Sequence, residues 1–351
     1  MYIFYLLALL VPMLCLKRRA EGDGGILDAG STTCIKGILC IFVMLHNLGL
    51  DLNNDPFKEQ ICEYSGGIGV GVFFFLSAFG IIRSYQSKGN KFLPRLLFVH
   101  IPKLWVIAVF INALTYFSFQ RGAYETLDMW LRILNLDLFN GFKHINRHGW
   151  YITTVILLYV IFAAVYYLCS RIKKENRFVI AGIIMAIVPI ALRAAAKLLG
   201  FGGMYTRELP TFAIGVLYAT FYDKINAFAS KYFKLGMVAS CTAFVVGVLL
   251  FEPIATYAAA LIVILVSQRY TYYSPVTHFL GRICIGVYLF LHYSSIVLQD
   301  FLSHEYLWVL TNAGFILLVA TMIYGVQYGI ECLVRRISLG IKNSRSLTSQ
   351  K

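Results

Sequence analysis

Two histidines fall within apolar runs long enough to cross a membrane. His46 lies in the run 34–50, ten residues after Lys36, and His292 lies in the run 279–299, ten residues after Arg282. If each basic residue marks the start of its helix at one membrane face, ten residues rise about 15 Å, half of a roughly 30 Å hydrocarbon core. Two separate helices then carry an imidazole to similar depth. A neutral imidazole accepts and returns a proton near neutral pH, which is the chemistry of a general base. The alternative reading is a pair of interhelical hydrogen bonds with no chemistry. Ionisable groups inside a span are costly, so both histidines are functional candidates.

A second group gathers toward the ends of two consecutive apolar runs: Arg193, Lys197, Arg207 and Glu208. Its functional reading is a site for an anionic or hydroxyl-rich acceptor. Its bland reading is snorkelling cations with a surface ion pair. His144, His148 and Trp150 stand at the boundary of another run, where Trp150 reads most simply as an interfacial anchor. Gly66, Gly67, Gly69 and Gly71 allow close helix approach, and Ser77 reads as a packing residue. The clusters Phe73–Phe75 and Tyr270–Tyr273 read as lipid-facing or interfacial. No phosphate loop, dinucleotide glycine fingerprint, GxSxG elbow or HExxH helix is present. The eight cysteines form neither a CxxC pair nor a zinc spacing, so no metal site is predicted.

The elements that position these residues follow from composition. The chain has 351 residues, 59% hydrophobic and only 14% charged, with a mean hydropathy of +0.72. A soluble domain carries about 25% charged residues, so the solvent of this chain is lipid. The predicted fold is all-α, a polytopic bundle of about ten or eleven transmembrane helices. The candidate runs are 2–16, 34–50, 67–84, 98–118, 149–169, 178–198, 209–222, 235–252, 254–268, 279–299 and 308–332. A net charge of +14 on a soluble protein would suggest nucleic acid, but the cations here sit in short runs between apolar segments. They set topology and touch anionic lipid head groups, and no nucleic-acid motif accompanies them.

Loop charges give the bundle an orientation. Lys17, Arg18 and Arg19 follow the first run, and alternate loops carry Arg83, Lys88, Lys91 and Arg95, then Arg171 to Arg177, Lys224 to Lys234, and Arg269 with Arg282. The opposite loops hold Asp51, Asp55, Glu59, Glu63, Glu125, Asp128, Asp137, Glu208, Glu252, Asp300 and Glu305. This bias predicts eleven spans with the N-terminus outside and the C-terminus cytoplasmic. Residues 1–30 read as an extra N-terminal helix and linker, 31–335 as the main transmembrane domain, and 336–351 as a basic cytoplasmic tail. The outer loop 119–148 is amphipathic around 129–142 and is expected to lie on the membrane surface or cap a cavity.

Three segments, in order, carry a family resemblance. Residues 34–50 read CIKGILCIFVMLHNLGL, residues 68–83 read IGVGVFFFLSAFGIIR, and residues 280–292 read LGRICIGVYLFLH. With RELPTFAIGVLYA at 207–219, they resemble acyltransferase family 3, the integral membrane acyltransferases, over residues 30–335. The resemblance implies transfer of an acyl group, often acetyl, from cytoplasmic acyl-CoA to a hydroxyl of an extracytoplasmic polysaccharide or lipid-linked glycan. It implies His46 as general base or transient acyl carrier, with His292 in the later histidine motif. The family's ten-residue gap after Lys36 ends on Asn47, a candidate for oxyanion stabilisation. Lys36, Arg95 and Lys103 would attract the CoA phosphates, and Arg193, Arg207, Glu208 and Trp150 would meet the acceptor. The implied setting is a bacterial inner membrane, with lipids and the glycan as partners. The other classes compatible with such a bundle are a flippase for a lipid-linked glycan and a non-catalytic envelope scaffold.

Overall fold

The computed structural model describes residues 10–20, 25–50, 56–139, 141, 143–172, 175–200, 207–298 and 305–348. Side chains are described for these residues except 48–50, 56–63, 137, 305–306 and 330–348. Residues 2–9 of the predicted span 2–16, the side chains of the outer acids Asp51, Asp55, Glu59, Glu63, Asp137 and Asp300, and the side chains of the basic tail lie outside that description. Of the described residues 84% are helical, as the composition predicts.

Helix α1 covers Ala29–Leu50 and α2 covers Pro56–Lys88. After short helical turns through residues 89–100 come α3, Ile101–Phe119, and the surface helix α4, Thr126–Ile133. Then follow α5, Gly149–Ser170; α6, Arg177–Leu198; α7, Leu209–Thr220; and α8, Tyr222–Lys231. The series closes with α9, Phe233–Leu250; α10, Glu252–Val266; α11, Pro275–Leu298; and α12, Glu305–Thr348. By length and hydropathy, seven helical runs among the described residues are able to cross a membrane. The difference from the expected ten or eleven has three sources. One run, Tyr64–Phe119, contains two of the predicted spans. The short apolar helices α7 and α10 fall below the length criterion. Residues 2–9 of the first predicted span are outside the described residues.

Gly89 ends α2 in the left-handed conformation, φ +58°, where a glycine carries no steric penalty. The inner bundle is α1, α2, α5, α7 and α11, whose buried side chains include Phe74, Phe75, Ile152, Phe212 and Leu289. By contrast, α9 presents Leu235, Val238, Val245 and Leu249 outward, and α12 presents Leu307, Leu310, Leu318 and Met322. Surfaces this apolar would drive aggregation in water, and they match a lipid environment.

Lipid tails are as apolar as leucine, so helix association rests on close packing. Here glycine supplies it. A Cβ on Gly37 of α1 would overlap the Thr277 carbonyl of α11, and one on Gly281 of α11 would overlap the Thr33 carbonyl of α1. The two helices therefore touch backbone to backbone near their starts. They run parallel, so Cys34 donates to the Ser274 carbonyl below, while Cys40 faces Cys284 above.

At the starting end of α1 and α11 lies a two-stranded antiparallel pair, β1 (Leu16–Arg18) and β2 (Tyr270–Tyr272), that the sequence reading did not foresee. Tyr272 turns inward and is 8% exposed, whereas Tyr270 and Tyr273 are exposed, so only part of that tyrosine cluster is peripheral. The pairing holds Arg18 and Arg269 at one end of the bundle, as the alternating loop charges require.

Candidate functional site

Helix starts fix the height of the two histidines. Asp28 accepts from the Ser31 amide (2.6 Å) and caps α1, so that helix begins seven residues before Lys36. Helix α11 likewise begins seven residues before Arg282. His46 and His292 each stand seventeen residues into their helices, a rise of about 25 Å. They do reach equal height, but toward the far end of the bundle rather than its middle. Lys36 and Arg282 are not the first residues of their helices, and that displaces the sequence arithmetic.

His46 lies against α2. A Cβ on Gly66 would stand 2.7 Å from its ring Nδ1, so only glycine leaves room for the imidazole there. The neighbouring Gly67 makes the same space on the other side, where the Glu252 carboxylate lies over it. The GG pair thus lets two polar side chains from α1 and α10 press on one helix.

The partner of Asn47 comes from the segment that precedes α5. Asn47 is 5% exposed; its Nδ2 donates to the Val43 carbonyl at 2.8 Å. Its Oδ1 therefore faces away as acceptor, and it receives His148 Nε2 at 2.8 Å and the Arg147 guanidinium at 3.2 Å. The His148 ring centroid is 6.3 Å from that of His292 and 5.0 Å from that of Tyr288. Burial holds the His148 imidazole well below its ordinary range, and the charges of Arg147, His292 and His46 act in the same direction. Three imidazoles and Asn47 thus form one cluster contributed by α1, α11 and the entry to α5.

Local structure delivers His148 to that place. The loop after α3 does not simply rest on a surface. It folds back along α3, where Trp105 donates to the Leu134 carbonyl (2.6 Å) and Asn112 donates to the Arg132 carbonyl (3.0 Å). Asn135, in the left-handed region at φ +54°, turns the chain and donates to Thr153 at 2.8 Å. Asn146 is fully buried and donates to the Leu289 carbonyl of α11 at 2.6 Å, while its Oδ1 accepts from the His148 amide at 2.9 Å. Backbone that leaves its helix within a membrane bundle must find such partners.

Of the second predicted group, Arg193, Arg207 and Glu208 assemble beside the first, while Lys197 is exposed apart from their contacts. Arg207 donates to Glu208 at 3.0 Å and pairs with Glu252 at 2.7 Å. Arg193 donates to the Tyr257 hydroxyl (2.6 Å) and to the Arg207 carbonyl (3.1 Å). The carboxylates of Glu208 and Glu252 are 7% and 6% exposed, whereas Arg207 is 39% exposed. Burial pushes the Glu208 carboxyl up, and Arg207 pulls it back toward its charged form. The ion network meets the histidine cluster on α2, where Glu252 lies over Gly67 and His46 over the adjacent Gly66. Trp150 is 9% exposed with its ring 6.3 Å from Phe74, so it is packed inside the bundle and is not an interfacial anchor.

The residues assigned to the donor are dispersed. Lys36 is half-buried beside Cys284, Arg95 is exposed in the turn before α3, and Lys103 is half-buried near the start of α3. A cleft of about 490 Å³ opens at the β1–β2 end, lined by Asp28, Ser31, Cys34, Tyr272, Ser274 and His278 among others, and none of the three cations lines it. No group of three or more His, Cys, Asp or Glu side chains among the described residues is arranged to hold a metal ion.

Arg147, His148 and Glu252 are absent from the sequence-based list of site residues. Arg147 carried one signal, as a cation on the side expected to be acidic. Glu252 carried none beyond its place in the charge alternation.

No curated protein and no solved structure matches the chain. The family model of the acyltransferase domain matches residues 31–328, from the third residue of α1 through α11, and includes every member of the two clusters. With that match over most of its length, the chain belongs to acyltransferase family 3, the membrane acyltransferases.

Proposed function

We propose that this membrane acyltransferase moves an acyl group, acetyl in the simplest case, from acyl-CoA to a hydroxyl of an extracytoplasmic polysaccharide or lipid-linked glycan. The observation that carries the proposal is the convergence of His46, Asn47, His148 and His292 at one end of the bundle, beside the Arg207–Glu208–Glu252 network. Acyl transfer to a hydroxyl needs a base, and imidazole is the side chain suited to it near neutral pH. The adjoining carboxylates and guanidinium offer hydrogen bonds to a hydroxyl-rich acceptor.

The orientation proposed from the loop charges gives the two ends distinct roles. The β1–β2 end, with Lys17, Arg18 and Arg269, faces the cytoplasm and meets acyl-CoA, for whose phosphates Lys36, Arg95 and Lys103 are the proposed counter-charges. The histidine end faces outward and meets the glycan through Arg193, Arg207, Glu208 and Trp150. The C-terminus is then cytoplasmic and the membrane a bacterial inner membrane. His46 serves as general base or as transient acyl carrier, with Asn47 beside it and His292 as the second imidazole.

Purified protein in lipid, given labelled acyl-CoA and candidate envelope glycans, is expected to move label to glycan. His46→Ala is expected to abolish the transfer. Full transfer by that variant would refute the assigned role of His46, and no glycan label from the parent protein would refute the activity.

A further inference from the structure

The hydrogen bonds around Asn47 fix the tautomer of His148. Because Asn47 Nδ2 is committed to the Val43 carbonyl, its Oδ1 can only accept, and the 2.8 Å contact makes His148 Nε2 the protonated nitrogen. The Nδ1 of the same ring then carries a bare lone pair. It is fully buried and has no hydrogen-bond partner. A buried acceptor left open costs about 1–3 kcal/mol, and native structures seldom keep one without a use. The ring is also fixed from behind, since the Asn146 side chain holds the His148 amide and the α11 backbone at once.

An imidazole oriented by a hydrogen bond at one nitrogen, with the other nitrogen open, is the general arrangement of a positioned base. We infer that His148 Nδ1 is the proton acceptor of the acyl transfer and that Asn47 is its orienting partner. The inference rests on the acyl-transfer reading and chooses between the two roles open to His46. With His148 as base, His46, seated on Gly66, is left to carry the acyl group. Its ring nitrogen forms a C–N bond to the acyl carbon, the thioester C–S bond breaks, and the displaced ring proton leaves on the CoA sulfur. The acceptor oxygen then forms a C–O bond to that carbon as the C–N bond breaks, and the hydroxyl proton passes to His148 Nδ1 and on to the released His46 nitrogen. Asn47 acts through His148 and is a positioning residue.

The groups that face His148 are Arg147 from its own segment, His46 from α1, and His292 and Tyr288 from α11. Arg147 and any protonated histidine among them oppose a positive charge on the ring. Replacing Asn47 by aspartate sets a negative charge against Nε2–H and favours the imidazolium, so the acidic limb of the rate profile should move to higher pH.

The test uses the full-length protein in lipid with labelled acyl-CoA and glycan acceptor across a pH series. His148→Gln is expected to lower transfer by about 10²–10⁴-fold with acyl-CoA binding unchanged. Asn47→Asp is expected to shift the acidic limb of the remaining transfer upward, and Asn47→Leu to lower transfer without that shift. Parent-level transfer by His148→Gln, or an unmoved limb in Asn47→Asp, would overturn the inference while leaving the acyltransferase intact. Absence of transfer in the parent protein would overturn both readings together.

Discussion

The imidazole of His46 lies directly on Gly66, so that a Cβ at this position would come within 2.7 Å of the ring Nδ1. The contact makes α2 the floor of the site. Gly66→Ala should displace His46 while leaving the helix itself sound, because alanine is the better helix former. A misplacement of about 1 Å at a reacting group can cost on the order of 10²-fold in rate. We expect acyl transfer to fall by that order with thermal stability changed little. Unchanged transfer by Gly66→Ala would show that His46 is not held where the reaction needs it.

Glu252 brings the second polar group to the neighbouring Gly67. Its carboxylate is 6% exposed and pairs with Arg207 at 2.7 Å. Arg207 is 39% exposed and keeps Glu208 when Glu252 is removed, so solvent and that second carboxylate take up part of the loss. Glu252→Ala should therefore cost about 1–3 kcal/mol, less than the severing of a fully buried pair. Glu252→Gln, which keeps a hydrogen-bonding oxygen, should cost less than Glu252→Ala. Thermal unfolding in one lipid composition measures both, and equal stability of parent and Glu252→Ala would place no weight on the Arg207–Glu252 pair.

Burial depresses the pKa of His148, and this couples stability to pH. The unfolded chain has an ordinary histidine there, titrating near about 6.5, whereas the folded chain resists the proton until lower pH. Between those values the unfolded state binds more protons, so folding stability falls as pH falls. Above the unfolded value this group contributes no pH dependence. Melting curves from pH 7.5 down to pH 5 should show the parent protein losing stability on acidification, with a shallower loss in His148→Gln. Identical slopes for the two proteins would contradict the neutral, buried imidazole.

The sequence shows what local periodicity and composition can encode. The apolar runs marked the helices, the alternation of charge agreed with the end shared by Arg18 and Arg269, and the Gly66–Gly71 series marked a helix under close contact. His46 and His292 were legible because a charged-group type inside an apolar run stands out. His148 was not, because its value comes from a hydrogen bond to Asn47, one hundred and one residues away, made possible by the turn at Asn135 and the anchor at Asn146. The Arg207–Glu252 pair spans forty-five residues in the same way. The β1–β2 pair joins two three-residue segments far apart in the chain, Leu16–Arg18 and Tyr270–Tyr272, each too short to show a period of its own. Heights were misread because Lys36 and Arg282 stand inside their helices, whose starts are set by an aspartate cap at one and a proline at the other.

The seam between α1 and α11 carries the histidine helices and gives a last prediction. Gly37 faces the Thr277 carbonyl, and Gly281 faces the Thr33 carbonyl, so each glycine meets backbone, which cannot swing aside as a side chain can. Gly37→Ala and Gly281→Ala should each force the helices apart, at about 1–3 kcal/mol for overpacking of this kind. Once one alanine has opened the seam, the second meets less resistance. The double variant should therefore lose less than the sum of the single losses, with a coupling of about 0.5 kcal/mol or more. Separation at this seam should also shift His46 relative to His292 and lower acyl transfer in both single variants. Thermal unfolding of the four proteins measures the coupling, and strict additivity would mean that the two glycines do not share one contact.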